Sequence, residues 1–255
     1  MGKLTNYPML LFLLSLLLLW ISAHAGAKFR KNRLRMEAEE REDFNVIVAA
    51  TLTLLGLIIG FSFSMATARY DQRKNYEEEE ANAIGTEYLR ADLLPPTDRT
   101  NVRALLLDYL DKRILFYITG DDAQRHQVNL ETAKLQGDLW SAVQVPASAQ
   151  PTPLVALAVA GMNDVLNSQG YTQAAWRNRI PLAAWGLMAV MAICCNILIG
   201  YVIPRTEKRT IAFLVLPLVV SISFFMIAEI DSPRGGIIRV LPQNLSTLSD
   251  SLRNP

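Results

Sequence analysis

Four segments of the chain are long and apolar enough to cross a lipid bilayer. They cover residues 8–25, 44–66, 180–203 and 210–230. A hydrocarbon core about 30 Å thick requires roughly 20 apolar residues in a spanning helix. The first segment also fits a signal peptide, because Lys3 precedes a leucine run that ends in small residues near Ala25. These segments predict an integral membrane protein with about four transmembrane helices, or three if residues 1–25 are cleaved.

The rest of the chain is organised around these segments. Residues 26–43 are expected to form a charged loop, residues 67–179 a helical extramembrane insert between the second and third spans, and residues 243–255 a C-terminal tail. The insert carries too many charges to lie in lipid, and its apolar residues recur with helical spacing. We expect its second helix to be capped by Thr97, residues 146–153 to form a linker, and residues 237–252 to form a short amphipathic helix. Strand-like alternation is lacking, so the sequence predicts an all-α fold.

The second span is predicted to continue far beyond the membrane. No proline interrupts residues 44–94, and a continuous helix of that length would extend about 75 Å, more than twice the thickness of the hydrocarbon core. Arg69, Arg73 and Lys74 are expected at the headgroup boundary.

Two stripes of residues with four-residue spacing run along the membrane part of this helix. One consists of small residues suited to close helix packing, Gly56, Gly60, Ser64 and Ala68. The other consists of Thr53, Leu57 and Phe61.

Several acidic residues allow two interpretations each. Residues 77–80 are four consecutive glutamates, which predict a solvated collar around the helix, with a cation site or an acidic ring in an oligomer as the alternative. Glu229 and Asp231 end the last span, where an ionisable group is a functional candidate. For Asp231 we favour a role at the interface, as a cap or as a partner of Arg234.

Composition argues against several function classes. The 25 basic and 24 acidic residues give a net charge near zero, without the concentrated basic face that nucleic-acid binding requires. Cys194 and Cys195 are adjacent in an apolar segment, and His24 and His126 are isolated, so we expect neither a metal site nor a cofactor. The sequence has no nucleophile elbow, phosphate loop or paired catalytic motif. We therefore expect that the protein is not an enzyme.

Specific motifs resemble a known family. GFSFSMATARYDQ, EEANAIGTEYLRADLLP, RNRIP and IDSPRGGIIRV occur in the order and spacing of the bacterial bestrophin-like family. The resemblance covers residues 40–242, and its motif residues are Arg69, Tyr70, Asn82, Asp231 and Arg234. More distantly, Gly60-Phe61 followed by Arg69-Tyr70 is similar to the second membrane helix of bestrophins, which are pentameric anion channels.

The resemblance implies a function and a site. In bestrophins, three apolar side chains at four-residue spacing form a narrow neck, and these positions correspond to Thr53, Leu57 and Phe61. Threonine at the first position departs from the pattern and implies a wider or wetter layer.

The resemblance also implies how the protein assembles and where it lies. It implies a homo-oligomer, a pentamer, in a bacterial inner membrane. The implied partners are lipid and inorganic ions, chloride among them, and no nucleic acid is implied. Both termini and the insert would lie in the cytosol, although the basic residues of segment 28–35 favour the opposite orientation. The alternative to an ion channel is a non-conducting scaffold or regulatory subunit that binds a protein through its cytosolic helices.

Overall fold

The fold is entirely helical in the part of the chain that the computed structural model describes, residues 7–31, 38–203 and 209–254. Helices account for 89% of the described residues. The helices are α1 (Pro8–Lys31), α2 (Ala38–Arg90), α3 (Pro96–Ile118), α4 (Asp122–Ala149), α5 (Pro153–Arg177), α6 (Leu182–Val202), α7 (Arg209–Asp231) and α8 (Gln243–Arg253). Four of these helices contain segments apolar enough to span a membrane, as predicted.

The second helix is continuous, as the absence of proline predicts. It contains 53 residues and ends in a short 3-10 turn, Ala91–Leu93, immediately before Pro95 and Pro96. At 1.5 Å per residue it is about 80 Å long. Residues 71–90 include Asp71, Lys74 and the four glutamates, so this part of α2 lies outside the hydrocarbon region.

The chain divides into two compact units. The membrane unit comprises residues 1–70 and 179–239, and the extramembrane unit comprises residues 71–178 and 240–255. Helix α2 contributes its first part to the membrane unit and its second part to the extramembrane unit.

The core of the membrane unit is built mainly by α1, α2, α6 and α7. Trp185 and Met188 of α6 pack with Phe224 and Ile227 of α7, and the rings of Trp185 and Phe224 meet edge to face at 6.1 Å. Leu55 of α2 is part of the same buried cluster. Close contact between α1 and α6 depends on glycine, because a Cβ atom at Gly26 would collide with the Ile197 backbone.

The core of the extramembrane unit lies between α3, α4 and α5. Its fully buried members include Leu106, Leu110, Leu139, Val143 and Met162. Asp121 caps α4 by accepting a hydrogen bond from the Gln124 N–H at 2.8 Å, and Thr152 caps α5 in the same manner through the Val155 N–H at 3.2 Å.

Several predicted boundaries were wrong. Helix α3 begins at Pro96 rather than after Thr97, because proline fits the first turn, where its missing N–H would be unsatisfied in any case. The predicted linker 146–153 is mostly helix, since α4 runs through Pro146 to Ala149. The predicted loop 26–43 contains the end of α1 and the start of α2, and only residues 32–37 within it lie outside the described part.

The C-terminal helix is shorter than predicted. It begins at Gln243, after Pro242, instead of at Ile237. Residues 237 and 238 instead donate their backbone N–H groups to Glu229, which keeps this segment out of a helix. Leu245 and Ser249 are the buried residues of α8 and pack within the extramembrane unit.

Candidate pore-lining face of the second helix

One face of α2 is buried in the membrane unit, and the opposite face is open. Leu55, Ser62 and Ala66 are at most 3% exposed and form the buried stripe. Leu57 is 51% exposed and Phe61 is 64% exposed. In the most apolar 18-residue window of α2, 11% of the residues are buried, against 50% for α7. The second span is therefore the one that the chain itself covers least.

The predicted neck residues, Thr53, Leu57 and Phe61, all lie on the open face. Successive members are four residues apart, which places them about 6 Å apart along the helix axis. The Thr53 hydroxyl donates to the Ala49 carbonyl at 2.9 Å, so its proton is used within the helix. The stripe therefore offers no free side-chain hydrogen-bond donor, whereas the Thr53 oxygen can still accept a hydrogen bond.

The predicted packing stripe lies beside the neck residues and is also open. A Cβ atom at Gly56 or Gly60 would meet no heavy atom of the described residues within 4 Å, and Ser64 and Ala68 are exposed. By contrast, a Cβ atom at Gly200 of α6 would collide with the Ala23 carbonyl of α1. Within the chain, close packing thus uses glycines of α1 and α6, and a role for the α2 stripe between chains stays a prediction.

Two of the family-motif residues meet at the end of the membrane unit. Arg69 Nη1 lies 3.6 Å from Asp231 Oδ1, and Asp231 also accepts the Ile180 N–H at 3.1 Å. Asp231 is buried and Arg69 nearly so. A charge-assisted hydrogen bond such as the one from the Ile180 N–H fixes geometry as well as contributing energy. The ion pair and this hydrogen bond join α2 and α7 to the segment that precedes α6. Pro181 is the N-cap of α6 and has no side-chain cap hydrogen bond, so Asp231 anchors this segment rather than capping the helix.

The other three motif residues lie in different parts of the fold. Tyr70 packs against the core of the membrane unit, Asn82 is exposed in the extramembrane unit, and Arg234 is half-buried in the loop after α7. Glu229 organises that loop by accepting the Ile237 N–H at 2.6 Å. A Cβ atom at Gly236 would collide with the Glu229 carboxylate, so a larger residue there would displace this carboxylate.

Arg73, which was expected at the headgroup boundary, has its side chain inside the protein. This side chain is 1% exposed, and it donates to the carbonyls of Ala175 and Asn178, both at 3.3 Å. These carbonyls end α5 and would otherwise lack partners. Arg73 is therefore a buried C-terminal cap of α5 in the extramembrane unit, whereas Lys74 is exposed.

The glutamates at residues 77–80 do not form a uniformly solvated collar. Glu77 is 1% exposed and accepts the Leu245 N–H at 3.0 Å and the Asn244 side-chain amide at 2.7 Å, at the N-terminus of α8. Glu80 is completely buried and pairs with Arg113. Glu78 and Glu79 are exposed. The prediction of a solvated collar was therefore wrong for two of the four residues.

Two tyrosines beside Glu80 stay neutral. Burial, reinforced by the Glu80 carboxylate, raises the pKa of Tyr117 and of Tyr109 well above the usual value for tyrosine. Tyr117 thus stays protonated and donates its hydroxyl to Glu80 Oε2 at 3.4 Å.

A signal for the buried glutamates was present in the sequence. Ala66, Arg73, Glu80 and Glu87 are spaced by seven residues, as are Glu77 and Ile84, so all of them continue the buried stripe of α2. Four consecutive residues cover every side of a helix, so the seven-residue register, and not the run itself, identifies which glutamates are buried.

Comparisons with known proteins agree with this architecture. A bestrophin-like domain model matches residues 9–245. The crystal structure of a bacterial bestrophin homologue from Klebsiella pneumoniae, solved by Zn-SAD phasing, aligns with a TM-score of 0.65 at 13% identity, over 96% of each chain. Two variants of the Klebsiella homologue also align. One, with a tryptophan-to-alanine change, gives a TM-score of 0.66 at 12% identity over 94% of this chain and 95% of that one. The other, with a leucine-to-threonine change, gives 0.64 at 12% identity over 97% and 99%.

A search of curated proteins found no significant match. The structural likeness, at such low identity, shows the fold, and the domain match covers most of the chain. The chain is an integral membrane protein that belongs to the bestrophin-like family.

Proposed function

We propose that the protein is an oligomeric ion channel in which the open face of α2 lines the pore. The single observation that carries this proposal is the position of Leu57 and Phe61, large apolar side chains exposed on the least covered span. Bestrophins, to which the family is distantly similar, are pentameric anion channels, which supports anions as the permeant ions and five as the subunit number.

Leu57 and Phe61 would act as the constriction. In a ring of copies, each position would form a layer of apolar side chains around the axis. Such layers control permeation by their radius and by whether water stays between the side chains. Thr53 would form a wider and more easily wetted layer, because it is smaller and carries a hydroxyl.

Oligomeric state and conductance test this proposal together. The purified full chain should form a five-fold ring with an axial path under the electron microscope, and reconstituted bilayers should show single-channel currents. A ring with no current would contradict the channel but not the assembly. A monomer would contradict both.

A scaffold or regulatory subunit is the second candidate. It is favoured by large apolar side chains that are exposed on the extramembrane unit, among them Leu89 at 65%, Val145 at 63% and Leu157 at 49%. Such surface favours contact with another protein. An isolated monomer in mild detergent, with a stoichiometric protein bound, would support this candidate against the channel.

Location and orientation complete the proposal. We place the protein in a bacterial inner membrane with the extramembrane unit in the cytosol. A reporter fused after Pro255 that is active on only one side of the membrane tests the orientation. Activity on the outer side would overturn it.

A further inference from the structure

Glu87 is a buried acidic side chain that the proposed channel does not use. It lies in the extramembrane unit on the buried stripe of α2 and is 0% exposed. Neither of its carboxylate oxygens has a hydrogen-bond partner among the described residues. An ionised carboxylate without a partner is costly to bury, whereas its protonated form is much less so.

Glycine on the facing helix makes the burial possible. A Cβ atom at Gly161 of α5 would collide with Glu87 Oε2 and would also press on the Arg90 guanidinium. Glu87 and Arg90 therefore share the small space that the missing side chain leaves. Burial raises the pKa of Glu87 to about 8, with Asp164 adding to the rise and Arg90 opposing it.

Arg90 has two carboxylates within reach. Its Nη1 lies 3.8 Å from Asp164 Oδ2 on α5, while Glu87 is one turn earlier on its own helix. Asp164 is 66% exposed in its side chain, so water can replace Arg90 there at little cost. The nearby Asp92 is bound to Arg99 and Arg103, and Arg103 also donates to the Tyr88 carbonyl. The charged groups that act on Glu87 are thus Arg90 on α2 and Asp164 on α5.

We propose that Glu87 is a proton-binding site that controls the ion pair between α2 and α5. With Glu87 protonated, Arg90 pairs with Asp164 and links the two helices. When Glu87 releases its proton to solvent, its negative charge draws Arg90 away from Asp164, and the link between helices becomes a pair within α2. Alkaline pH therefore loosens the α2–α5 contact, whether or not the chain conducts ions.

The pH dependence of unfolding has a defined sign. The pKa of Glu87 is about 8 in the folded protein, whereas its ordinary value, which applies to the unfolded chain, is 4.5. The unfolded chain therefore loses this proton at a lower pH than the folded protein does. The folded state binds more protons between these values, so stability falls as pH rises from 4.5 to about 8 and is constant in this respect above it.

The test compares Glu87→Gln with wild type in the full-length protein, by thermal unfolding in detergent across this pH range. We expect the variant to match wild type near pH 4.5 and to have the higher Tm from about pH 8 upward. Glu79→Gln, at an exposed position on the same helix, is the matched control and should follow wild type. A purely structural role would give the same difference in Tm at every pH and would overturn the proposal.

Two further variants test the partner exchange. Asp164→Asn removes a charge that raises the pKa of Glu87, so the pH at which stability stops falling should move down. Arg90→Gln removes a charge that lowers it, so this pH should move up. Shifts in the same direction, or none, would overturn the exchange. If the proposed channel conducts, its current should also lose pH dependence in Glu87→Gln; this arm alone rests on the proposed function.

Discussion

Arg113 of α3 donates hydrogen bonds to the carboxylate of Glu80 on α2, from Nε and, at 3.4 Å, from Nη2, and neither side chain is exposed to solvent. Thr172 of α5 donates its hydroxyl to the same carboxylate at 3.2 Å. The guanidinium also lies 4.5 Å from the centre of the Phe116 ring. One glutamate thus joins three helices of the extramembrane unit.

Replacing Glu80 should destabilise the protein strongly. In Glu80→Gln the Arg113 guanidinium stays buried without its counter-charge, which costs about 3–5 kcal/mol when one partner of a buried pair is removed. Thermal unfolding in detergent should show a large fall in Tm. Glu79→Gln, one residue earlier and exposed, should change little, and equal Tm values for the two variants would contradict the assigned role.

Gly200→Ala should separate α1 from α6. The new methyl group would collide with the Ala23 carbonyl, which belongs to a helix backbone and cannot move alone. We expect a lower Tm and a loss of α1 packing. Gly186→Ala, on the same helix, is the matched control, because its Cβ would meet no heavy atom of the described residues within 4 Å. Alanine is also more favourable than glycine in a helix by about 1 kcal/mol, so Gly186→Ala should not lower the Tm. A fall in Tm for Gly186→Ala as large as that for Gly200→Ala would contradict this explanation.

We expect residues 1–25 to remain in the mature protein. A cleavage site near Ala25 would lie inside α1, where Ala23, Gly26 and Ala27 are buried against other helices of the membrane unit. Intact mass spectrometry of the purified protein should give a mass near that of the full chain, 28.5 kDa. A mass lower by the first 25 residues would show that α1 is a signal peptide.

Ion selectivity should depend on the two exposed glutamates. Glu78 and Glu79 point away from the buried stripe of α2, and negative charges near a conduction path attract cations and repel anions. Replacing both by glutamine should increase the ratio of anion to cation permeability, measured from reversal potentials in a salt gradient. Glu77 and Glu80 are unsuitable for this test because they are buried in structural contacts. An unchanged ratio would place Glu78 and Glu79 away from the ion path.

Simple physical rules predicted the main features of the fold. Apolar length gave the four spans, and the lack of proline over residues 44–94 gave the uninterrupted α2. Both are properties of single segments, so no knowledge of neighbouring segments was needed.

Polar contacts between distant segments were harder to predict. Arg73 is 102 residues from Ala175 in sequence, and Glu77 is 168 residues from Leu245, so nothing local identified either partner. A charged residue on a helix normally faces water. Only the seven-residue register shared with Ala66 and Ile84 indicated that Arg73, Glu77 and Glu80 face inward.

Phe61→Ala should raise conductance, whereas Phe63→Ala should not. Phe61 lies on the predicted neck stripe, and removing its ring would widen one of the two apolar layers of the proposed constriction and ease its wetting. Phe63 is 42% exposed, but it is two positions further along the helix and points about 200° around the axis from Phe61. The two variants therefore remove the same aromatic group from two different faces of one span. Single-channel recordings in reconstituted bilayers should show a larger unitary current for Phe61→Ala alone. Equal currents for both variants and wild type would remove Phe61 from the ion path, and a larger current for Phe63→Ala alone would mean that a different face of α2 lines the pore.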